Sequence, residues 1–156
     1  MNATATLEPP AERQSAETDR PVPRAQPWPQ WAVDDLRRSG LTPADVEPLG
    51  WHPAEDGYII AFRDPETGEA LTTPTGQPFT RRRLAKPSPS CKYVSPKGAG
   101  THPFILPEVH RYLLDSPAAA VVLTEGEKKA LAATRAGLPT IGLSGIDCWQ
   151  EAKGIR

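Results

Sequence analysis

The segment with the clearest potential for chemistry is "TEGEKKALAATRAG", residues 124–137. Glu125 stands directly before Gly126 at the end of an apolar stretch, and Lys128 and Lys129 follow within one helical turn. A carboxylate in such a position can bind Mg²⁺ or act as a general base. A glycine beside it leaves room for a substrate phosphate, and the two lysines offer that phosphate positive charge. The pattern therefore allows phosphoryl chemistry at Glu125.

The same residues also have a purely structural interpretation. Thr124 and Glu127 have the spacing of a capping box, in which a hydroxyl and a carboxylate satisfy the first free N–H groups of a helix. Acidic side chains near a helix N-terminus also suit its dipole. In the structural interpretation Glu125 is only solvated. The two interpretations are compatible, because the capping box uses Thr124 and Glu127 and leaves Glu125 free.

A second chemically suggestive segment is "FTRRRLAKPSPSCKY", residues 79–93. Its basic and aromatic side chains are Arg81, Arg82, Arg83, Lys86, Lys92, Phe79 and Tyr93. Cations with interleaved aromatic rings are typical of surfaces that bind a single-stranded backbone and stack its bases. The alternative is a solvated hairpin whose charges keep an edge strand from aggregating.

The elements that must position Glu125 are predicted from the last third of the chain. "AAAVVLTEG" is a continuous apolar run, typical of a strand covered on both faces. "EKKALAATRAG" is rich in helix formers, and "LPTIGLSG" predicts a second buried strand that turns at Gly145. A helix between two buried strands favours a parallel βαβ unit. Ligands of open α/β sheets bind at the carboxyl ends of the strands, which is where Glu125 stands.

The preceding residues predict a small α+β segment over 27–118. Two short helices are expected between residues 31 and 50, the second with Thr42 as N-cap, Pro43 at its first position and Asp45 in its first turn. "GYIIAFRD" predicts a strand, with "ALTTP" or "FTRRRL" as the return strand, and a helix is expected from Pro107 to about Leu114. Residues 1–26 are rich in proline, alanine and charge, and predict a disordered tail.

Composition narrows the class of protein. The chain has 156 residues with a net charge of −1, so any nucleic-acid contact must come from local patches. No apolar run is long enough to cross a bilayer, and the first residues lack the layout of a signal peptide. Cys91 and Cys148 lack zinc-ribbon spacing, and the three histidines lack ligand spacing. We therefore expect a cytoplasmic protein with no membrane partner.

Residues 121–145, "VVLTEGEKKALAATRAGLPTIGLSG", resemble the first half of a Toprim domain. Toprim domains are metal-binding α/β units of bacterial-type primases, topoisomerases and some nucleases. The resemblance implies that Glu125 is the catalytic, Mg²⁺-binding glutamate and that Gly126 is the turn glycine. The upstream segments resemble an uncharacterised domain family of plasmid, phage and mobile-element proteins, in which primase or helicase modules are frequent neighbours.

The chain departs from the Toprim pattern after Gly145. A Toprim site also needs an Asp-x-Asp motif on the next strand, and here only Asp147 and Glu151 follow. One carboxylate is a poor Mg²⁺ site. We therefore expect an α/β chain in which residues 119–156 form a truncated, N-terminal half of a Toprim-like domain. We also expect that the isolated chain does not catalyse nucleotidyl transfer.

Three functional hypotheses follow. The first is the N-terminal part of a primase-related protein of a mobile element, acting on single-stranded DNA through Mg²⁺ and working with a helicase or primase module. The second is a non-catalytic module that binds nucleic acid or recruits such a partner. The third is a degraded gene fragment without activity.

Overall fold

The computed structural model describes residues 26–145. The predicted tail, apart from residue 26, lies outside the described residues. Asp147, Cys148 and Glu151 lie outside them as well.

Two short helices begin the described structure. Helix α1 spans Gln30–Arg37, and helix α2 spans Pro43–Val46 and continues as a 3-10 turn over Glu47–Leu49. The predicted start of α2 is confirmed: Thr42 is the N-cap, and Asp45 accepts hydrogen bonds from its backbone N–H at 2.7 Å and from its hydroxyl at 2.8 Å. This cap fixes the direction of the chain between the two helices.

Four antiparallel strands follow: β1 (His52–Ala54), β2 (Gly57–Ala61), β3 (Thr80–Ser88) and β4 (Cys91–Val94), in that spatial order. Of the two candidates for the return strand, "FTRRRL" supplies β3, whereas Ala70 and Thr72 form only isolated bridges. Tyr58 lies opposite Arg83 in the β2–β3 register. The arginines therefore lie in the middle of the sheet.

The last part of the fold contains helix α3 (Pro107–Asp115), strand β5 (Val122–Glu125), helix α4 (Glu127–Arg135) and strand β6 (Thr140–Leu143). Strands β5 and β6 pair in parallel, with Glu125 opposite Leu143, and this confirms the predicted strand–helix–strand unit. Glu125 is the last residue of β5, as expected.

The prediction that β5 is covered on both faces is wrong for the described residues. Val122 is 44% exposed and Leu123 is 62% exposed. The apolar run predicts a strand correctly, but it does not reveal how many elements cover that strand. Here β6 is its only partner strand within residues 26–145.

Strand β6 joins the parallel unit to the rest of the molecule. Gly142 exchanges two backbone hydrogen bonds with Phe104, at 2.8 and 2.9 Å. A Cβ atom at Gly142 would lie 3.0 Å from the Cβ of Ala130, so the glycine allows α4 to pack closely on β6. Phe104, Ala130 and Leu131 belong to the same buried cluster as Trp51 and the aromatic side chains of the antiparallel sheet.

Residues 26–145 thus form a mixed α+β structure with a four-stranded antiparallel sheet and a two-stranded parallel sheet. Among residues 26–145, no helix has the length and apolar character needed to cross a membrane.

Candidate functional site

A cleft of about 320 Å³ lies beside the carboxyl end of β5, where the first turn of α4 approaches α1 and the strands β3 and β4. Nine of the ten described residues that line it have a polar or charged side chain. The lining residues are Asp35, Arg38, Ser39, Arg83, Lys92, Tyr93, Glu125, Gly126, Lys128 and Lys129. The cleft therefore brings the predicted residues of β5 and α4 together with side chains from three other elements.

Asp35 is the buried centre of this cleft. Its carboxylate accepts hydrogen bonds from Lys128 Nζ at 2.5 Å, Arg38 at 2.6 Å and the Tyr58 hydroxyl at 2.9 Å. A longer contact of 3.3 Å comes from Arg83. A carboxylate offers about four acceptor positions, so Asp35 has no capacity left for another donor.

These contacts alter the protonation of the buried groups. Burial alone would raise the pKa of Asp35, but the hydrogen bonds and charge of Lys128, with help from Arg38 and Tyr58, bring it well below its usual range. Burial lowers the pKa of Lys128, and the nearby Asp35 carboxylate opposes that change. Burial and the Asp35 charge raise the pKa of Tyr58, which remains a neutral donor.

The predicted capping box at the start of α4 is wrong. The N-cap of α4 is Gly126, and no side chain caps the helix. Thr124 lies within β5, and Glu127 is 1% exposed and pairs with Arg81 of β3. The physical reason is that Gly126, with a φ of 98°, turns the chain before the helix begins, and Glu127 faces a cation of the antiparallel sheet.

The three consecutive arginines do not form one surface. Side chains alternate along a strand, so Arg81 and Arg83 share one face of β3, and both guanidinium groups lie over the Tyr93 ring, at 4.7 and 5.5 Å from its centre. Arg82 pairs instead with Asp56 at 3.1 Å. It lines a separate depression with Lys86. The contiguous basic patch expected from the sequence is therefore divided between two faces.

The pairing inside the protein also limits which predicted cations are available to a ligand. The side chain of Arg81 is 11% exposed and is neutralised by Glu127, and that of Arg83 is 14% exposed and faces Asp35. Phe79 is 1% exposed and packs against Phe62, so it offers no face for a nucleobase. The exposed cations in the cleft are Arg38, Lys92 and Lys129.

Glu125 and Gly126 form the edge of the cleft nearest the parallel sheet. Glu125 is exposed, and Gly126 lies in the bend between β5 and α4, where its N–H donates to the carbonyl of Leu143 at 2.8 Å. A Cβ atom at Gly126 would meet nothing within 4 Å, so the space above its backbone is open. Gly145, the other predicted turn residue, lies with Ser144 in a bend directly after β6.

The donor set does not fit a complete Mg²⁺ site. Within residues 26–145, no group of three or more His, Cys, Asp or Glu side chains is placed to hold a metal ion. Asp35, the one other carboxylate that the described residues place in the cleft, already accepts hydrogen bonds from Lys128 and Arg38. Mg²⁺ prefers several oxygen ligands, so Glu125 alone does not supply a site.

The charge of the cleft instead favours an anion. Among the described residues that line the cleft, five basic side chains against two acidic ones leave an excess of three positive charges. Lys128 is 13% exposed and has three donors, of which two are used by the carboxylate and backbone carbonyl of Asp35. An excess of positive charge is stabilised by an anion with several oxygen acceptors, and a phosphate group has that chemistry.

Sequence reasoning missed Asp35 and Arg38. An acid and a base three residues apart on a short helix are indistinguishable from an ordinary solvated pair. The available signal is spacing: Trp31, Asp35 and Arg38 fall on one face of α1, and Trp31 stacks on Tyr58. Asp35 on this face is buried, whereas Arg38, directly after the last residue of the helix, is 67% exposed.

The described residues thus form a mixed α+β structure with a cleft lined by an excess of basic side chains. Residues 110–155 match the model of a family described as a domain of unknown function, DUF3854. No curated protein and no solved structure matches the chain.

Proposed function

We propose that this protein binds single-stranded nucleic acid as part of a Toprim-like, primase-related system of a mobile element in the cytoplasm. In this proposal the cleft at the end of β5 contacts the phosphate backbone. Lys92 and Lys129 provide exposed charge, and Lys128 contributes from the interior. A helicase or primase module would act on the same strand.

The observation that carries the proposal is the excess of positive charge in the cleft, at the carboxyl end of a strand in a parallel pair. The overall charge of the chain is −1, so this local excess is not a consequence of a basic composition. The position is also where open α/β sheets bind ligands. Lysines that bind phosphates release counterions, which makes the affinity depend on salt.

The test is a salt titration of single-stranded DNA binding by the full chain, followed by fluorescence anisotropy. The double variant K92A/K129A removes two exposed cleft charges without removing a partner of Asp35. Each lost phosphate contact should flatten the slope of log K against log salt by about 0.7, so the double variant should flatten it by about 1.4.

The matched control is R82A/K86A, which removes two charges from the opposite side of β3. This control should keep the slope of the unaltered protein. If the control and the cleft variant change the slope equally, the cleft has no special role. If no variant changes the binding, or if the protein does not bind DNA, the proposed function is wrong.

An enzymatic role is the second candidate, and the exposed carboxylate of Glu125 in the same cleft favours it. In the Toprim-like interpretation Glu125 is a metal ligand or a proton-transfer group. That role needs additional carboxylates, which residues 26–145 do not place beside it. Primer synthesis by the purified full chain with Mg²⁺ and nucleotides would establish the enzymatic role, and E125Q should then abolish it.

A further inference from the structure

We infer that the cleft binds a phosphate monoester, the terminal phosphate of a nucleic-acid strand, in preference to an internal phosphodiester. This inference rests on the proposed function, and it specifies which part of the nucleic acid the cleft contacts. It depends on the size of the cleft and on how its charges converge.

The small size of the cleft favours a single phosphate group. The cleft holds about 320 Å³, which is at the small end of the range for ligand pockets. A space of this size suits one phosphate with its sugar rather than a run of nucleotides. A groove that binds several nucleotides of a single strand needs a longer row of basic side chains. The arginines of β3 do not form such a row, because Arg82 lies on the opposite side of the strand.

The charges that converge in the cleft favour a phosphate with two negative charges. Arg38, Arg83 and Lys128 all reach one carboxylate, that of Asp35, so three cations converge at one point. Lys92 and Lys129 add two positive charges to the same cleft, and Glu125 removes one. An internal phosphodiester carries one negative charge, whereas a phosphate monoester carries nearly two at neutral pH and has three acceptor oxygens. The monoester therefore matches the residual charge more closely.

The experiment compares single-stranded oligonucleotides of one sequence that carry a 5′-phosphate, a 3′-phosphate or only hydroxyl ends. Binding to the full chain is measured by competition, with adenosine monophosphate and inorganic phosphate as further competitors. We expect a phosphorylated end to bind about tenfold more tightly than the hydroxyl form, since one additional charged contact is of that order. Comparison of the 5′ and 3′ forms identifies the end that is bound.

The outcomes separate this inference from the proposed function. Equal affinity for all three oligonucleotides would overturn the monoester inference and leave nucleic-acid binding intact. Direct binding of adenosine monophosphate, measured by calorimetry, without any oligonucleotide binding would support the monoester site and overturn the proposed function. If neither a nucleotide nor an oligonucleotide binds, both are wrong.

Variants locate the preference within the protein. K92A/K129A should reduce the preference for a phosphorylated end, while R82A/K86A should retain it. Neither variant removes a side chain that contacts the carboxylate of Asp35, so both are expected to fold. If K92A/K129A folds and keeps the full preference, the phosphate is bound elsewhere and the inference is wrong.

Discussion

Replacement of Asp35 by asparagine tests the buried charge cluster directly, because asparagine keeps the shape of the side chain and removes its charge. The contact with Lys128 is the main loss, since the side chain of Lys128 is 13% exposed and that of Asp35 is 4% exposed. Removal of one partner of a buried ion pair costs about 3–5 kcal/mol. Arg38 has a side chain that is 67% exposed, so solvent screening limits its contribution to under about 1 kcal/mol.

We therefore expect D35N to lower the free energy of unfolding by about 3–5 kcal/mol, and R38A by under about 1 kcal/mol. The assay is urea unfolding at neutral pH, followed by tryptophan fluorescence. Trp28, Trp31 and Trp51 all lie near Tyr58 and report on this region. If D35N costs no more than R38A, the carboxylate does not hold the cluster together and the reasoning fails.

The ion pair of Asp35 and Lys128 also predicts that the stability of the protein depends on pH. The pKa of Asp35 is lower in the folded protein than in the unfolded chain, so the stability it provides is present above the unfolded value, about 3.9. That stability is lost as the pH falls below this value. The difference in unfolding free energy between the unaltered protein and D35N should therefore shrink between about pH 4 and pH 2. A difference that stays constant over this range would contradict a lowered pKa of Asp35 in the folded protein.

Two further substitutions test the start of α4. T124A should change the free energy of unfolding by less than about 0.5 kcal/mol, because Thr124 does not cap the helix. A loss of about 1 kcal/mol would instead indicate that Thr124 caps α4. G126A should cost about 1–3 kcal/mol, since the φ of 98° is unfavourable for alanine although no atom blocks its Cβ. Thermal unfolding measures the stability of both variants. If G126A is as stable as the unaltered protein, the positive φ at residue 126 is not required.

The strand–helix–strand order around Glu125 was predictable because local patterns determine it. Apolar runs, helix formers and turn glycines act over a few residues, and the capping of α2 by Thr42 and Asp45 is local in the same sense. The coverage of β5 was not predictable, since it depends on which distant segments lie against Leu123. A continuous apolar run is compatible with either outcome.

The cleft shows the same division between local and distant effects. The sequence places Lys129 close to Glu125, because two residues four positions apart at a strand–helix junction have little conformational freedom, and both line the cleft. Glu127 pairs with Arg81, which is 46 residues away along the chain. Lys128 pairs with Asp35, which is 93 residues away. Spacing alone does not reveal such pairs, so Glu127 had the signature of a capping residue.

The most direct test of the central claim is to map where single-stranded DNA contacts the protein. Amide NMR spectra of the full chain would be recorded with and without a 5′-phosphorylated oligonucleotide. We predict the largest shifts at the cleft, at Ser39, Lys92, Gly126 and Lys129, with little change at Arg82 and Lys86. Shifts centred on Arg82 and Lys86, or absent from Gly126 and Lys129, would contradict it.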